Sequence, residues 1–176
     1  MENSKSKKLV IVSLFTALVA VATMAFKIPT LATNGYIHLG DTLVYLSGIF
    51  LGPVYGPIAA GFGSFLADLL SGYAVWALPS LLIKGLDALV FALIFRGVKN
   101  VSGSSKALIS KFLLALLIGG SIMVGGYFVT SVVLYSYAGA LGSIVPNIIQ
   151  AVGGGIIAYP IMIALFKQKS IQKLLQ

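Results

Sequence analysis

The sequence predicts an all-α integral membrane protein, with six transmembrane helices and both termini in the cytoplasm. The chain is 59% hydrophobic and only 9% charged, with a mean hydropathy of +1.03, whereas soluble domains carry about 25% charged residues. Its apolar runs at residues 9–26, 112–135 and 144–166 are continuous, close to the roughly 20 residues that a spanning helix needs, and lack β-barrel alternation. The first run lacks a small-residue cleavage site, so we expect it to be retained.

Clusters of basic residues predict which side each helix end faces. Most of the 12 Lys and Arg residues lie in three clusters, namely Lys5, Lys7 and Lys8; Arg96, Lys99, Lys106 and Lys111; and Lys167, Lys169 and Lys173. The positive-inside rule places all three in the cytoplasm, so an even number of spans separates each from the next.

The segment GPVYGP decides the number of helices before Arg96. If Gly52, Pro53, Gly56 and Pro57 reverse the chain, four spans precede Arg96 and the charge rule is satisfied. We therefore expect one domain over residues 1–176, with helices at about residues 9–27, 40–52, 54–71, 78–96, 108–135 and 143–166.

The polar residues of the membrane region fall in its outer half, beneath a long external loop at residues 28–41 and a second one, SGYAVWALPS. An ionisable side chain in hydrocarbon costs a few kcal/mol on insertion scales and therefore faces a bundle interior or a wet cavity. This pattern predicts a pocket open to the outside. The candidate binding residues are Asn34, His38, Asp41, Asp68, Tyr73, Trp76, Lys84, Asp87, Tyr127, Asn147 and Gln150.

Each candidate also has a structural explanation. Lys84 can neutralise Asp87, three residues away on the same helix, or Asp68. Asp41 is expected to cap the second helix, and the single histidine, His38, to be a solvated loop residue. By the same reasoning Tyr73 and Trp76 suit an interfacial aromatic belt, and Asn147 and Gln150 suit contacts between helices.

The composition excludes several classes of function. The chain has no cysteine and one histidine, which excludes disulfides, iron–sulfur ligation and thiol catalysis and leaves no metal-ligand set. No phosphate-binding loop is present, because the GGG at residues 153–155 lies within a span. We expect no catalytic residue, no metal, no cofactor and no nucleic-acid partner, so active transport would need energy from another protein or an ion gradient.

Small residues recur at four-residue spacing on the first helix, where another helix could approach closely. The pairs are Ser13 with Ala17, and Thr16 with Ala20. Internal packing explains the same pattern.

Two long segments carry a resemblance to a known family. GYIHLGDTLVYLSGIFLGPVYGPIAAGFGSFLADLLSGY and PSLLIKGLDALVFALIF, over about residues 35–95, resemble the S components of energy-coupling factor (ECF) vitamin importers. The shared features are the LGD segment, the Gly-Pro turn, the G-S-x-x-A-D stretch and the I-K-G-L stretch. The likeness is greatest to the hydroxymethylpyrimidine-type branch.

The resemblance implies a six-helix substrate-binding subunit of the bacterial cell membrane. Such a subunit captures a small vitamin outside and docks through its first helix onto a transmembrane coupling protein, the T component, which bears two cytoplasmic ATPases. Here the docking surface would include Ser13, Thr16, Ala17 and Ala20. Hydroxymethylpyrimidine is the favoured substrate, with pyridoxine-like compounds, riboflavin and pantothenate as alternatives. A stand-alone transporter or channel using Lys84 and Asp87 as a relay, and a scaffold without ligand, remain open.

Overall fold

A computed structural model of the chain describes residues 2–30, 35–98 and 105–168. It confirms a helical membrane protein, because all five helices of the described residues are long and apolar enough to cross a bilayer. Two short strands join the first helix to the second. In chain order the elements are α1 (Glu2–Ala25), β1 (Lys27–Thr30), β2 (Gly35–His38), α2 (Asp41–Leu70), α3 (Ala74–Ile94), α4 (Ser105–Leu134) and α5 (Tyr137–Phe166).

The helix α2 reverses direction at Gly52. This residue has φ 74° and ψ −173°, a left-handed conformation that suits glycine. A Cβ atom built on Gly56 would lie 2.8 Å from the Cα atom of Gly48, whereas residues eight apart in a straight helix are about 12 Å apart along the axis. The halves of α2 before and after Gly52 therefore pack against each other as a helical hairpin.

The predicted external segments are more ordered than expected. Residues 28–41 were predicted as a loop, but β1 and β2 form an antiparallel hairpin in which Ile28 pairs with Ile37. The second predicted loop shrinks to residues 71–73, because α3 begins at Ala74.

The last helix also begins earlier than predicted, at residue 137 instead of about 143. Ser136 caps α5, and its side chain accepts a hydrogen bond from the backbone N–H of Gly139 at 3.1 Å.

The two ends of the helix bundle differ in character. We call the end that bears β1 and β2 the hairpin end, and the opposite end, with the start of α1 and the ends of α3 and α5, the Gly52 end. The larger buried cluster combines aliphatic and aromatic side chains and extends toward the Gly52 end. Tyr45 is stacked on Phe91 at 4.4 Å between ring centroids, and Phe50 lies against Phe166 at 5.0 Å. Buried polar side chains instead gather toward the hairpin end.

Candidate functional site

A small cleft lies beneath the strand hairpin, between β2 and the adjoining ends of α2, α3, α4 and α5. The volume of the cleft is about 50 Å³, which is room for a few water molecules. Six predicted residues line it: His38, Asp68, Trp76, Tyr127, Asn147 and Gln150.

Four of the other five predicted binding residues do not line this cleft. Asp41, Lys84 and Asp87 are completely buried elsewhere, and Tyr73 packs on the ring of Tyr36 at 4.5 Å between centroids. Asn34 lies outside the described residues.

The strand hairpin forms the roof of the cleft and is fixed by hydrogen bonds to two helices. The backbone N–H of His38 donates to Oε1 of Gln150 at 2.8 Å. The hydroxyl of Tyr36 donates to Oδ1 of Asp68 at 2.7 Å, and Nζ of Lys27 donates to the hydroxyl of Ser71 at 2.8 Å.

His38 is a buried part of this roof, which corrects its interpretation as a solvated loop residue. Only 9% of the residue is exposed, and Nδ1 accepts a hydrogen bond from the backbone N–H of Gly40 at 3.0 Å. Burial lowers the pKa of His38 to about 4, although the nearby Asp41 carboxylate opposes this effect. A neutral imidazole fits the acceptor role that Nδ1 plays here.

An ion pair lies deeper in the bundle. Nζ of Lys84 donates to Oδ1 of Asp41, and both side chains are fully buried. Nε2 of Gln150 donates to Oδ2 of Asp41 at 2.8 Å. Nζ of Lys84 also lies 3.2 Å from Sδ of Met123 and 5.3 Å from the ring centroid of Tyr127. Through Gln150, this pair is connected to the strand hairpin.

This network corrects three structural predictions. The N-cap of α2 is Gly40, and the Asp41 side chain makes no capping bond, because that carboxylate is used by Lys84 and Gln150. Lys84 pairs with Asp41 rather than with Asp87 or Asp68. Neither oxygen of Asp87 has a hydrogen-bond partner among the described residues.

Two buried side-chain atoms, in residues that line the cleft, have no hydrogen-bond partner within the described residues. They are Oδ2 of Asp68 and Nε1 of Trp76, in residues that are 5% and 6% exposed. The Trp76 ring is edge-on to Tyr127, with centroids 5.8 Å apart. Both atoms are completely buried, so neither is exposed in the cleft as it stands.

Four polar residues of the cleft were not predicted from the sequence, although helical spacing pointed to one of them, Ser80. Ser80 lies four residues after Trp76 and four before Lys84, so it shares their helix face. Its hydroxyl is 2.9 Å from that of Tyr127. The missed residues are Tyr36, Ser80, Ser131 and Ser143.

The small residues of α1 divide between two faces. Ser13 and Ala17 are exposed. Ala20 is only 7% exposed, and the carbonyl oxygen of Thr16 would lie 2.7 Å from a Cβ atom on Gly63 of α2. Ala20 is therefore packed inside the protein, and Thr16 is half-buried with its backbone against α2.

Comparisons with known proteins identify the family. A model of the ECF-type riboflavin transporter S component family matches residues 3–167. The chain is 38% identical over 139 residues to an uncharacterized protein of Pyrococcus woesei, covering 79% of this chain and 88% of that one. It is 31% identical over 159 residues to the thiamine precursor transporter HmpT of Lactococcus lactis, covering 90% and 87% of the two chains.

A solved structure agrees with the sequence comparisons. The S component of a bacterial ECF transporter superposes with a TM-score of 0.68 and 23% identity, covering 93% of this chain and 99% of that one. At this identity the likeness establishes the fold. Proteins of this family are subunits of transporters rather than enzymes, and they work with a T component and ATPases. The chain belongs to the ECF-type riboflavin transporter S component family and is a vitamin- or precursor-binding S subunit, a multi-pass integral protein of the cell membrane.

Proposed function

We propose that the chain captures hydroxymethylpyrimidine on the outer side of the membrane and delivers it inward with a T component and two ATPases. This choice rests on the small size of the cleft under the strand hairpin, which has a volume of about 50 Å³. A single pyrimidine ring needs a modest displacement of the roof, whereas the three fused rings of riboflavin need a far larger one.

The chemistry of the cleft lining supports a ligand without negative charge. Asp68 lines it, and none of the lining residues that the structure describes is Lys or Arg. The carboxylate of pantothenate would be buried without a counter-charge, which is costly. Pyridoxine-like compounds remain the alternative of similar size. The thiamine precursor transporter among the relatives favours the pyrimidine.

The proposed orientation places the hairpin end outside and six membrane crossings in the chain. The two halves of α2 would cross separately, because the chain reverses at Gly52. The basic residues of the described chain at the Gly52 end would then face the cytoplasm together with both termini. They include Lys7, Lys8, Arg96, Lys106, Lys111 and Lys167.

The proposed docking surface for the T component is the outward face of α1 around Ser13 and Ala17. Both residues are small and exposed, and they are flanked by Leu14 and Leu18, which are 55% and 42% exposed. Small side chains allow a partner helix to approach closely in a membrane, where the hydrophobic effect does not drive helix association.

A second candidate function rests on Asp87. This buried carboxyl has no hydrogen-bond partner among the described residues and lies three residues from Lys84, so the two could act as a proton relay in a self-sufficient transporter.

Uptake of labelled hydroxymethylpyrimidine into proteoliposomes separates the two functions. We expect uptake only when the T component, both ATPases and ATP are present. Gradient-driven uptake by the chain alone would instead establish the relay, and absence of ligand binding would indicate a scaffold.

A further inference from the structure

The strand hairpin carries exposed apolar side chains on the outside of the cleft roof. Three large ones are Phe26, which is 65% exposed, Ile28, which is 67% exposed, and Leu39, which is 40% exposed. We call these three residues the outer roof patch. Phe26 and Leu39 each lie one residue beyond the strand pair formed by Lys27 and His38, so the patch spans both strands beside the end of α1.

The direction of Ile28 follows from its neighbour in β1. Nζ of Lys27 donates to the hydroxyl of Ser71 at 2.8 Å and lies 5.6 Å from the ring centroid of Tyr36, so the Lys27 side chain turns toward the helices. Successive residues of a strand point to opposite faces of the sheet. Ile28 therefore points away from the helices, in agreement with its large exposed fraction.

The length of α1 places this patch at the edge of the membrane. Lys7 and Lys8 are exposed near the start of α1 and mark one membrane surface, because lysine ammonium groups near helix ends stay in water. From Lys8 to Ala25 the helix rises by about 26 Å at most, whereas the hydrocarbon core is about 30 Å thick. The helix therefore ends, and β1 begins, near the opposite boundary of the hydrocarbon.

We propose that the outer roof patch lies in the membrane, at the boundary between lipid headgroups and acyl chains, and that this contact helps to keep the roof closed. The patch directly follows a helix that is long and apolar enough to span the bilayer, so it continues a lipid-facing surface. Backbone groups at this boundary still reach water, which the open edges of a two-stranded hairpin require. The inference concerns the outside of the roof and is independent of the ligand.

Lipid and hydrogen bonds would hold the roof from opposite faces. On the inner face, Tyr36 donates to Asp68, and the His38 N–H donates to Gln150. An opening that lifts the hairpin toward water would withdraw the outer roof patch from lipid. Exposing apolar side chains to water is unfavourable, so the bilayer would oppose that movement.

The first experiment locates the patch with a spin label. Because the sequence has no cysteine, Ile28→Cys and Leu39→Cys each provide a single labelling site. The labelled proteins are placed in nanodiscs, one chain in each, and collisions of the label with dissolved oxygen, which concentrates in lipid, are compared with those of a water-soluble nickel complex. Leu117→Cys, at a residue of α4 that is 68% exposed, is the lipid reference, and Gln168→Cys, beyond the end of α5, is the water reference.

The ratio of oxygen to nickel collisions gives the outcome. At both patch positions we expect a ratio at least roughly 10-fold above that of the water reference, because the polar nickel complex is excluded from an apolar environment. A ratio equal to that of the water reference would place the patch in water and overturn the inference. Labels shielded from both reagents would indicate contact with protein and would overturn it as well.

The second experiment tests whether lipid contact keeps the roof closed. Ile28→Thr and Ile28→Val are matched variants, because both new side chains are β-branched and similar in size but only threonine carries a hydroxyl. In nanodiscs, deuterium exchange over residues 35–38 should be roughly 2- to 30-fold faster in Ile28→Thr, since a hydroxyl is costly to place in an apolar environment. Equal exchange in the two folded variants would overturn the contribution of lipid to roof closure. Binding of hydroxymethylpyrimidine to the unaltered protein is measured separately, so failure of this inference leaves the proposed function standing.

Discussion

Lys84 of α3 and Asp41, the first residue of α2, form an ion pair in which both side chains are completely buried. Gln150 of α5 donates to the second oxygen of Asp41 and accepts from the backbone of His38 in β2. Three helices and the cleft roof therefore share one polar network, and a change at any member should affect the others.

Replacing Lys84 with Met should destabilise the protein strongly. The Asp41 carboxylate would lose its buried counter-charge, which costs about 3–5 kcal/mol. Adding Asp41→Asn removes that charge and should recover most of the loss, which thermal unfolding in detergent would measure. Equal instability of the single and double variants would show that the pair is not the reason for the loss.

The reversal of α2 predicts opposite effects of one substitution at two glycines. Alanine in place of a glycine stabilises a helix by up to about 1 kcal/mol where there is space. Gly125→Ala should gain thermal stability, because nothing lies within 4 Å of the added Cβ. Gly56→Ala should lose stability, because the Cβ would lie 2.8 Å from the backbone oxygen of Ser47. A stabilised Gly56→Ala protein would argue against the helical hairpin.

Stability should fall in mild acid because of His38. Burial lowers its pKa in the folded protein to about 4, against 6.5 in the unfolded chain. The unfolded chain therefore binds a proton first, so the stabilisation is complete above about pH 6.5 and is lost as the pH falls toward 4. His38→Asn keeps an acceptor for the Gly40 N–H but does not titrate, so unfolding curves should show a smaller pH dependence. The same slope in both proteins would contradict this assignment.

Gln150→Leu should loosen the strand hairpin. The variant removes the acceptor for the His38 N–H, so deuterium exchange over residues 35–38 should accelerate by roughly 5- to 100-fold. Thr42→Val is the control, since the Thr42 hydroxyl also connects α2 to α5, donating to the carbonyl of Gly154 at 3.3 Å, but does not touch the hairpin. Similar acceleration in the control would indicate general loosening of α5.

A bulky residue on the exposed face of α1 should uncouple transport from binding. Ala17→Trp is expected to abolish ATP-dependent uptake in the assembled transporter while ligand affinity stays within about 2-fold, because α1 contributes no residue to the cleft lining. Val133→Trp on α4 introduces the same bulk at a residue that is 78% exposed, and its uptake should be normal. Full transport by Ala17→Trp would place the T component elsewhere.

Much of the fold was predictable because long apolar runs, clusters of basic residues and Gly-Pro steps can each be recognised within a short stretch of sequence. The pair of Gly-Pro steps indicated a reversal at Gly52, and that residue has the non-helical conformation. The two strands were missed, since each has only four residues and such short segments carry little periodic signal.

The site was predicted as a region more accurately than as a set of contacts. Six of the predicted residues line the cleft, because polar side chains within apolar helices converge on protected cavities. Their partners depend on which helices are neighbours, which helical spacing does not show. Lys84 therefore pairs with Asp41, 43 residues away, rather than with Asp87 in the next turn.

Native mass spectrometry of the purified chain, without its partners, tests the central claim most directly. With hydroxymethylpyrimidine and riboflavin present at equal concentration, we expect one pyrimidine molecule bound per chain and no riboflavin. Preferential binding of riboflavin would contradict capture of a single-ring vitamin precursor in the cleft beneath the strand hairpin. Failure to bind either compound would contradict it as well.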